Sequence, residues 1–279
     1  MVTMRFSWGI SICTFLMLTL TSATASTARS VLSYGTYIDR CVIPGTVALT
    51  FDDGPFWFTA DLLQILSEYG APATFFLNGH NLGDVYASSD VVQRIVNEGH
   101  QLGSHTYFPG VYFHLYTILA YCLTSWGHPY LTILDYPTIV AQMTQLEAAF
   151  EEIVGFVPVY MRPPYLALNG VVHAAMADLG YHIIGASIDT KDFENDNPEL
   201  IMNSVAKFKA ELGDGDIVLA HDVHEQTVYT LAREMLEEIF ARGLQRMAFL
   251  FSFCLDNLLT GIAVTVGDCL GDPEEFWYR

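Results

Sequence analysis

Asp52 and Asp53 stand side by side at the end of an apolar run and lead straight into Gly54–Pro55. While strand geometry lasts, adjacent side chains point to opposite faces. The Gly-Pro turn lets both carboxylates serve one site in different roles, although the same four residues also make an ordinary solvated turn. His105 closes another strand-like stretch, and the residue four places on is Pro109, which is no ligand. From Phe108 to Trp126 the chain carries no charged residue. With that block excised, Tyr107 meets Gly127, and His105 and His128 stand at i and i+4, a spacing that can put both imidazoles on one metal. Together with a strand-end aspartate they make a metal triad. Arg162 precedes Pro163–Pro164, whose rings stiffen the turn. A guanidinium there can hold a carboxylate by paired hydrogen bonds, and a structural turn with a surface arginine fits equally well. Asp189 to Phe193 and Leu219 to Asp222 end two more strands. His221 is a candidate proton donor, because a nearby carboxylate raises an imidazole's pKa and orients its ring.

The elements that must position these residues alternate. Gly45–Phe51 is a short, β-branched apolar run and reads as a buried strand. Thr59–Tyr69 has helical periodicity and a glycine stop at Gly70. Ala73–Leu77 reads as a strand, Val91–Asn97 as a helix and Gln101–His105 as a strand. Tyr136–Val154 is an amphipathic helix closed by Gly155. Further elements are expected around Tyr160, Ala174–Leu179, Ile183–Ile188, Pro198–Leu212, Ile217–Ala220 and Thr227–Arg242. Strand alternating with helix at this pace indicates a parallel sheet. The polar residues cluster after the strands' C-terminal ends, where barrel-type α/β enzymes build their sites. One α/β domain from about residue 40 to 279 is expected. His80, His100 and His182 read as packing or surface histidines.

Composition narrows the function. The 279 residues are 52% hydrophobic and 15% charged, a folded composition. Twelve basic against thirty-one acidic residues give a formal net charge of -19. Such a surface repels phosphate backbones, so nucleic acid is excluded as a partner. Residues 1–25 have the pattern of a cleaved signal peptide, with an apolar core from Gly9 to about Leu20 and small residues from Ser22 to Ser26. The core is short for a membrane span, so a secreted, extracellular or cell-wall protein with no span in its mature form is expected, with an uncleaved signal anchor as the rival reading. Cys13 leaves with the signal. Cys41, Cys122, Cys254 and Cys269 remain, and four cysteines allow three pairings.

In this order, Thr50–Pro55, the split His105–Tyr107 and Gly127–Pro129, Arg162–Tyr165, Asp189–Phe193 and Leu219–Asp222 resemble the five successive motifs of the NodB-homology polysaccharide deacetylases, carbohydrate esterase family four. The Gly127–Leu131 and Gly267–Pro273 stretches look most like fungal chitin deacetylases. The resemblance implies a distorted (β/α) barrel with a groove for a polysaccharide chain. It implies one divalent metal, zinc before cobalt, on Asp53, His105 and His128. Asp52 would be the general base, oriented by Arg162. His221, supported by Asp192, would protonate the departing amine. The backbone N–H of Tyr165, with the metal, would hold the oxyanion, and Leu219 would line the acetyl pocket. The expected reaction is hydrolysis of N-acetyl groups on the N-acetylglucosamine units of chitin by a monomer. An acetylxylan esterase, a peptidoglycan deacetylase and a catalytically dead carbohydrate-binding relative are the rival readings.

The chain departs from the family pattern in three places. Phe193 stands where the fourth motif usually has tryptophan, which would loosen the acetyl-pocket wall. Apolar blocks at about 108–126 and 245–262 interrupt the pattern, the second between Gly243–Leu244 and a strand-like Ala263–Val266. Each block has the length of a short fungal intron and holds one cysteine, so both read as retained introns translated in frame, with genuine insertion loops or a membrane-dipping hairpin as the competing readings. With both set aside, Cys41 and Cys269 remain and are expected to tie the two ends of the domain together.

Overall fold

The computed structural model describes residues 32–107, 128–250 and 263–279, with the backbone alone over 244–250. The signal segment, the 108–126 block and residues 251–262 of the second block lie outside the described residues. The strands are β1 (Tyr37–Ile38), β2 (Val47–Asp52), β3 (Thr74–Leu77), β4 (Gln101–Ser104), β5 (Tyr160–Met161), β6 (His182–Ile184), β7 (Ile188–Asp189), β8 (Asp216–His221) and β9 (Ala263–Val264). They run in the order β1-β6-β5-β4-β3-β2-β8-β7, and β9 pairs with the start of β2. Every pairing between these strands is parallel. The helices are α1 (Thr59–Tyr69), α2 (Ser89–Asn97), α3 (Tyr136–Val154), α4 (Gly170–Leu179), α5 (Ile201–Glu211), α6 (Ala232–Leu250) and α7 (Val266–Cys269). This curled sheet with helices outside it is the distorted-barrel architecture expected from the resemblance.

Alternation along the strands explains both the core and the site. On β2, Val47, Leu49 and Phe51 face the helices and join Leu62 and Leu66 of α1 and Met235 and Leu236 of α6 in the main core. Ala48 points the other way, into a cluster with Phe76, Tyr160, Ile184 and Ile217. Because the side-chain period is two, Thr50 and Asp52 continue the inner row above Ala48. On β8 the same rule puts Val218 and Ala220 outside and Ile217 inside, with Leu219 and His221 continuing inward. Register sets these rows at one level: Thr50 lies opposite Leu219 and Asp52 opposite His221. The lower interior is filled by the C-terminal segment, through Val266, Cys269, Leu270 and Trp277. The disulfide Cys41–Cys269 fastens that segment to the chain before β2.

Local chemistry sets the helix ends. Asp135 caps α3 by accepting from the Thr138 N–H, and Gly155 ends it in the left-handed conformation. α3 matches its sequence-predicted limits. α4 begins four residues earlier than periodicity suggests, because the Asn169 side chain accepts from Val171 N and Val172 N.

Several expectations are corrected. Ile183–Ile188 is not one strand: β6 lies between β1 and β5, whereas β7 pairs with β8. Gly185 separates them beneath Tyr37, whose hydroxyl would sit 2.1 Å from any added Cβ. Ala263–Val266 yields two strand residues, after which Thr265 caps α7. The helix expected over Thr227–Arg242 opens with a wide π turn, Thr227–Leu231. Its backbone then runs past Gly243 to Leu250, entering the second apolar block as helix.

Candidate active site

Five strand ends deliver the polar side chains to one cleft of ≈ 530 Å³. Asp52, Asp53, His105, His128, Tyr165, Leu219, Phe193 and His221 all line it. Asp52 is the last residue of β2, and Asp53 breaks from strand geometry with φ +75°. That turn resolves the opposition of two neighbouring carboxylates: Asp53 Oδ1 lies 3.6 Å and Asp52 Oδ2 3.9 Å from His105 Nε2. Gly54 is required here, since an added Cβ would stand 2.3 Å from a carboxylate oxygen of the fully buried Asp222.

Asp53, His105 and His128 form a cluster whose ligand atoms lie within 4.8 Å of one another. The separations are 3.4 Å for Asp53–His128 and 2.8 Å between the two Nε2 atoms. Two nitrogens and an oxygen on a tetrahedral ion, at roughly 2.0–2.2 Å each, would be separated by about 3.3 Å. The carboxylate–imidazole gaps match that spacing and the imidazole pair is somewhat closer. Tautomer chemistry supports the fit. His105 Nδ1 lies 2.7 Å from the Arg162 carbonyl, which can only accept, so Nδ1 carries the proton and Nε2 presents its lone pair to the cluster. Burial pushes both imidazoles below their ordinary pKa, His105 furthest, which keeps them neutral and able to ligate. The donor set therefore suits a divalent cation.

Arg162 lies directly after β5 and is fully buried. One nitrogen donates to Asp52 Oδ1 at 2.8 Å and to Thr50 Oγ1 at 2.6 Å. The other terminal nitrogen donates to the Gly185 carbonyl at 2.7 Å, and the Phe76 ring lies 4.5 Å beneath the guanidinium. It is thus no surface turn residue. Burial raises Asp52 to about 6 although Arg162 opposes the shift.

Across the cleft, Asp192 grips His221 twice, at the ring Nδ1 (2.8 Å) and the backbone N–H (2.7 Å). Thr227 Oγ1 donates to the same carboxylate. Burial alone would lower His221, but the charge and hydrogen bond of Asp192 outweigh it and raise the imidazole to about 10. Burial likewise favours the neutral form of Asp192, yet its net displacement is downward because His221 stabilises the carboxylate. Phe193 is half exposed, with its ring 5.6 Å from that of His221. Tyr165, in the left-handed conformation at φ +59°, stacks on Tyr130 with ring centres 3.9 Å apart.

Of the residues singled out from the sequence, Asp52, Asp53, His105, His128, Tyr165, Phe193, Leu219 and His221 line the cleft, and Arg162 and Asp192 are bonded to Asp52 and His221. Sequence reasoning missed Asn78 and Asn81, Tyr130, Thr227 and the second histidine–carboxylate pair, His224–Asp196. Asn78 directly follows β3, so the strand-end rule that flagged the others would have found it. His80 is exposed and pairs with Asp84, whereas His100 and His182 are buried, as packing or surface residues should be.

With that geometry in hand, comparisons give concordant results. The sequence profile described as polysaccharide deacetylase matches residues 39–184. The chain is 43% identical over 262 residues to a chitin deacetylase of a Pestalotiopsis species, spanning 92% of this chain and 76% of that relative. It is 42% identical over 256 residues to a probable peptidoglycan-N-acetylglucosamine deacetylase of Arthroderma benhamiae, of which it spans half. Among solved structures, the chitin deacetylase of Colletotrichum lindemuthianum superposes with a TM-score of 0.74 at 39% identity, over 89% of this chain and 97% of that one.

Proposed function

Because the chain belongs to the polysaccharide deacetylase family, we propose that it is a chitin deacetylase, hydrolysing the amide of N-acetylglucosamine units to acetate and a free amine. The observation that carries this reading is the convergence, in one cleft, of Asp53, His105 and His128 with Asp52–Arg162 on one side and His221–Asp192 on the other.

Asp53, His105 and His128 would hold a divalent cation, zinc first and cobalt second. When bound, it supplies Lewis acidity, which makes a water nucleophilic near neutral pH and polarises the amide carbonyl. Asp52, held in place by Arg162, takes a proton from the attacking water. Its raised pKa makes it a competent base near neutrality, while it remains ionised there. The backbone N–H of Tyr165 donates to the developing oxyanion. Leu219 and Phe193 enclose the acetyl methyl. His221 has its Nδ1 committed to Asp192, so Nε2 faces the substrate and delivers its proton to the departing nitrogen. An imidazole raised to about 10 is protonated at neutral pH, as a general acid must be before the C–N bond breaks. The amine leaves with that proton, and acetate keeps the oxygen from water.

The protein acts as a secreted monomer after loss of residues 1–25. Its Cys41–Cys269 disulfide belongs to an oxidising compartment, and no described helix is long and apolar enough to cross a membrane. Acetate release from chitin oligosaccharides, acetylated xylan oligosaccharides and peptidoglycan fragments, with zinc present, tests the assignment. Turnover highest on the chitin oligomers supports it. Preference for peptidoglycan fragments would transfer the assignment to the substrate named for the Arthroderma relative, and oligosaccharide binding without any acetate would make this a binding protein.

A further inference from the structure

Asn78 is buried, 1% exposed, directly after β3, and it touches both turns that deliver the proposed ligands. Its backbone N–H donates to the Gly54 carbonyl at 2.9 Å, immediately beyond Asp53. Its side-chain amide donates to the His105 carbonyl at 2.6 Å and to the Thr106 carbonyl at 3.3 Å. The side-chain oxygen accepts from Asn81 Nδ2 at 3.2 Å, and that same nitrogen donates to Asp53 Oδ1 at 3.2 Å. Asp53 Oδ1 is the oxygen nearest His105 and His128. The two carboxamides therefore form a continuous bridge from the backbone of one ligand to the ligating atom of another.

Both turns at the ends of this bridge are strained. Asp53 has φ +75° and Thr106 has φ +83°. Left-handed backbone is unusual for any residue with a side chain and is a marked outlier for β-branched threonine. Such conformations cost on the order of 1–3 kcal/mol each and persist only where the surroundings over-determine them. Asn78 supplies that constraint, because it binds the carbonyl after Asp53 and the carbonyl of Thr106 itself. An adjoining contact, Gly79 N–H to the Thr106 carbonyl at 3.1 Å, adds to it. An amide suits the task, offering two donors and one acceptor from a single planar group. An aspartate of the same shape would lose the donors and add a further carboxylate to a site that already holds Asp52, Asp53 and Asp222.

We infer that Asn78, acting through Asn81, is a positioning residue that fixes Asp53 and His105 at the separation a divalent cation requires. The inference rests on the metal-site reading above. Residues that orient metal ligands from behind typically change metal affinity by about 10–100-fold when replaced. The test is Co2+ binding to the purified full chain, read by visible absorption and by competition with a chelator, for wild type, Asn78→Asp, Asn81→Ala and Asp53→Asn. Thermal unfolding of each metal-free protein reports general damage separately.

The expected result is a fall in Co2+ affinity of about 10-fold or more for Asn78→Asp, a smaller fall for Asn81→Ala, and an altered Co2+ absorption band in both. A merely structural asparagine would lower the unfolding temperature without moving the band of the folded, metal-loaded protein. If Asn78→Asp does not fold, Asn81→Ala decides, because Asn81 lines the cleft and its truncation removes the bonds to Asp53 and to the Asn78 side-chain oxygen while leaving the Asn78 bonds to the His105 and Thr106 carbonyls in place. Unchanged affinity and spectrum in the folded asparagine variants, with binding lost in Asp53→Asn, would overturn this inference alone. Unchanged binding in Asp53→Asn as well would overturn the metal-site reading beneath it.

Discussion

Replacing Arg162 by alanine should both destabilise the fold and move the acid side of the activity profile. The side chain is fully buried, and its removal takes the guanidinium partner from Asp52 Oδ1 and the Gly185 carbonyl, while the Thr50 hydroxyl keeps only its bond to the Val218 carbonyl. Breaking a buried ion pair by deleting one member costs about 3–5 kcal/mol, because the surviving charge is left uncompensated. For a chain of this size, each kcal/mol lowers the melting temperature by about 2–4 °C, so a loss of roughly 6–20 °C is expected. The second effect has a fixed sign. Arg162 opposes the burial that raises Asp52 to about 6. Without the guanidinium, the carboxyl rises further, so the base is protonated over a wider range of pH. The limb on which kcat falls with acidity must then move to higher pH, starting from a wild-type position at or below about 6 once the cation's charge is included. Arg162→Lys restores the charge but not the planar fork, and should recover part of the pH shift and less of the stability. Circular dichroism melts and acetate release from pH 4 to 9 measure both. A variant that melts within a few degrees of wild type and keeps its acid limb would refute the argument that Arg162 is a buried partner of Asp52.

Other consequences are equally direct. Asp192→Asn removes the charge that lifts His221 to about 10; burial then dominates, and the alkaline limb of kcat should fall toward neutrality, which a pH–rate profile from 6 to 10.5 would register. Reduction of Cys41–Cys269, or the double substitution to serine, should cost about 2–4 kcal/mol by freeing the ends of the domain, read as a shift in the denaturant midpoint with and without reductant. A chain lacking 108–126 and 245–262 should bind Co2+ at least as tightly as the full chain, because the first deletion leaves His105 and His128 four places apart. A shortened chain that folds but no longer binds the ion would show that the blocks are needed.

Legibility in the sequence followed the physics of each residue. Asp52, Asp53, His105, Arg162, Asp192 and His221 were readable because each ends, or follows closely on, a short apolar strand, and a parallel sheet gathers such ends on one side. His128 was readable only by looking across an uncharged block. The direction of the side chains was less open. Whether Asp53 would join Asp52 depended on a left-handed turn held by Asn78 and Gly54, contacts made between residues distant in the chain. Arg162 could not be told from a surface residue, since its burial comes from Thr50, Phe76 and Gly185. Ile183–Ile188 looked like one strand because both halves are apolar; only their separate partners, β5 and β8, divide it. Asn78 escaped notice for the opposite reason, as a lone amide beside a glycine has the look of turn chemistry.

The measurement that bears most directly on the whole account is acetate and free-amine release from a chitin oligosaccharide by the zinc-loaded chain, beside Asp52→Asn and a chelator-treated sample. Expected are equimolar acetate and amine from the wild type, activity lost on chelation and restored by zinc, and a fall in kcat of at least about 100-fold for Asp52→Asn at little changed metal affinity. Equal turnover by the chelated protein or by Asp52→Asn would contradict it.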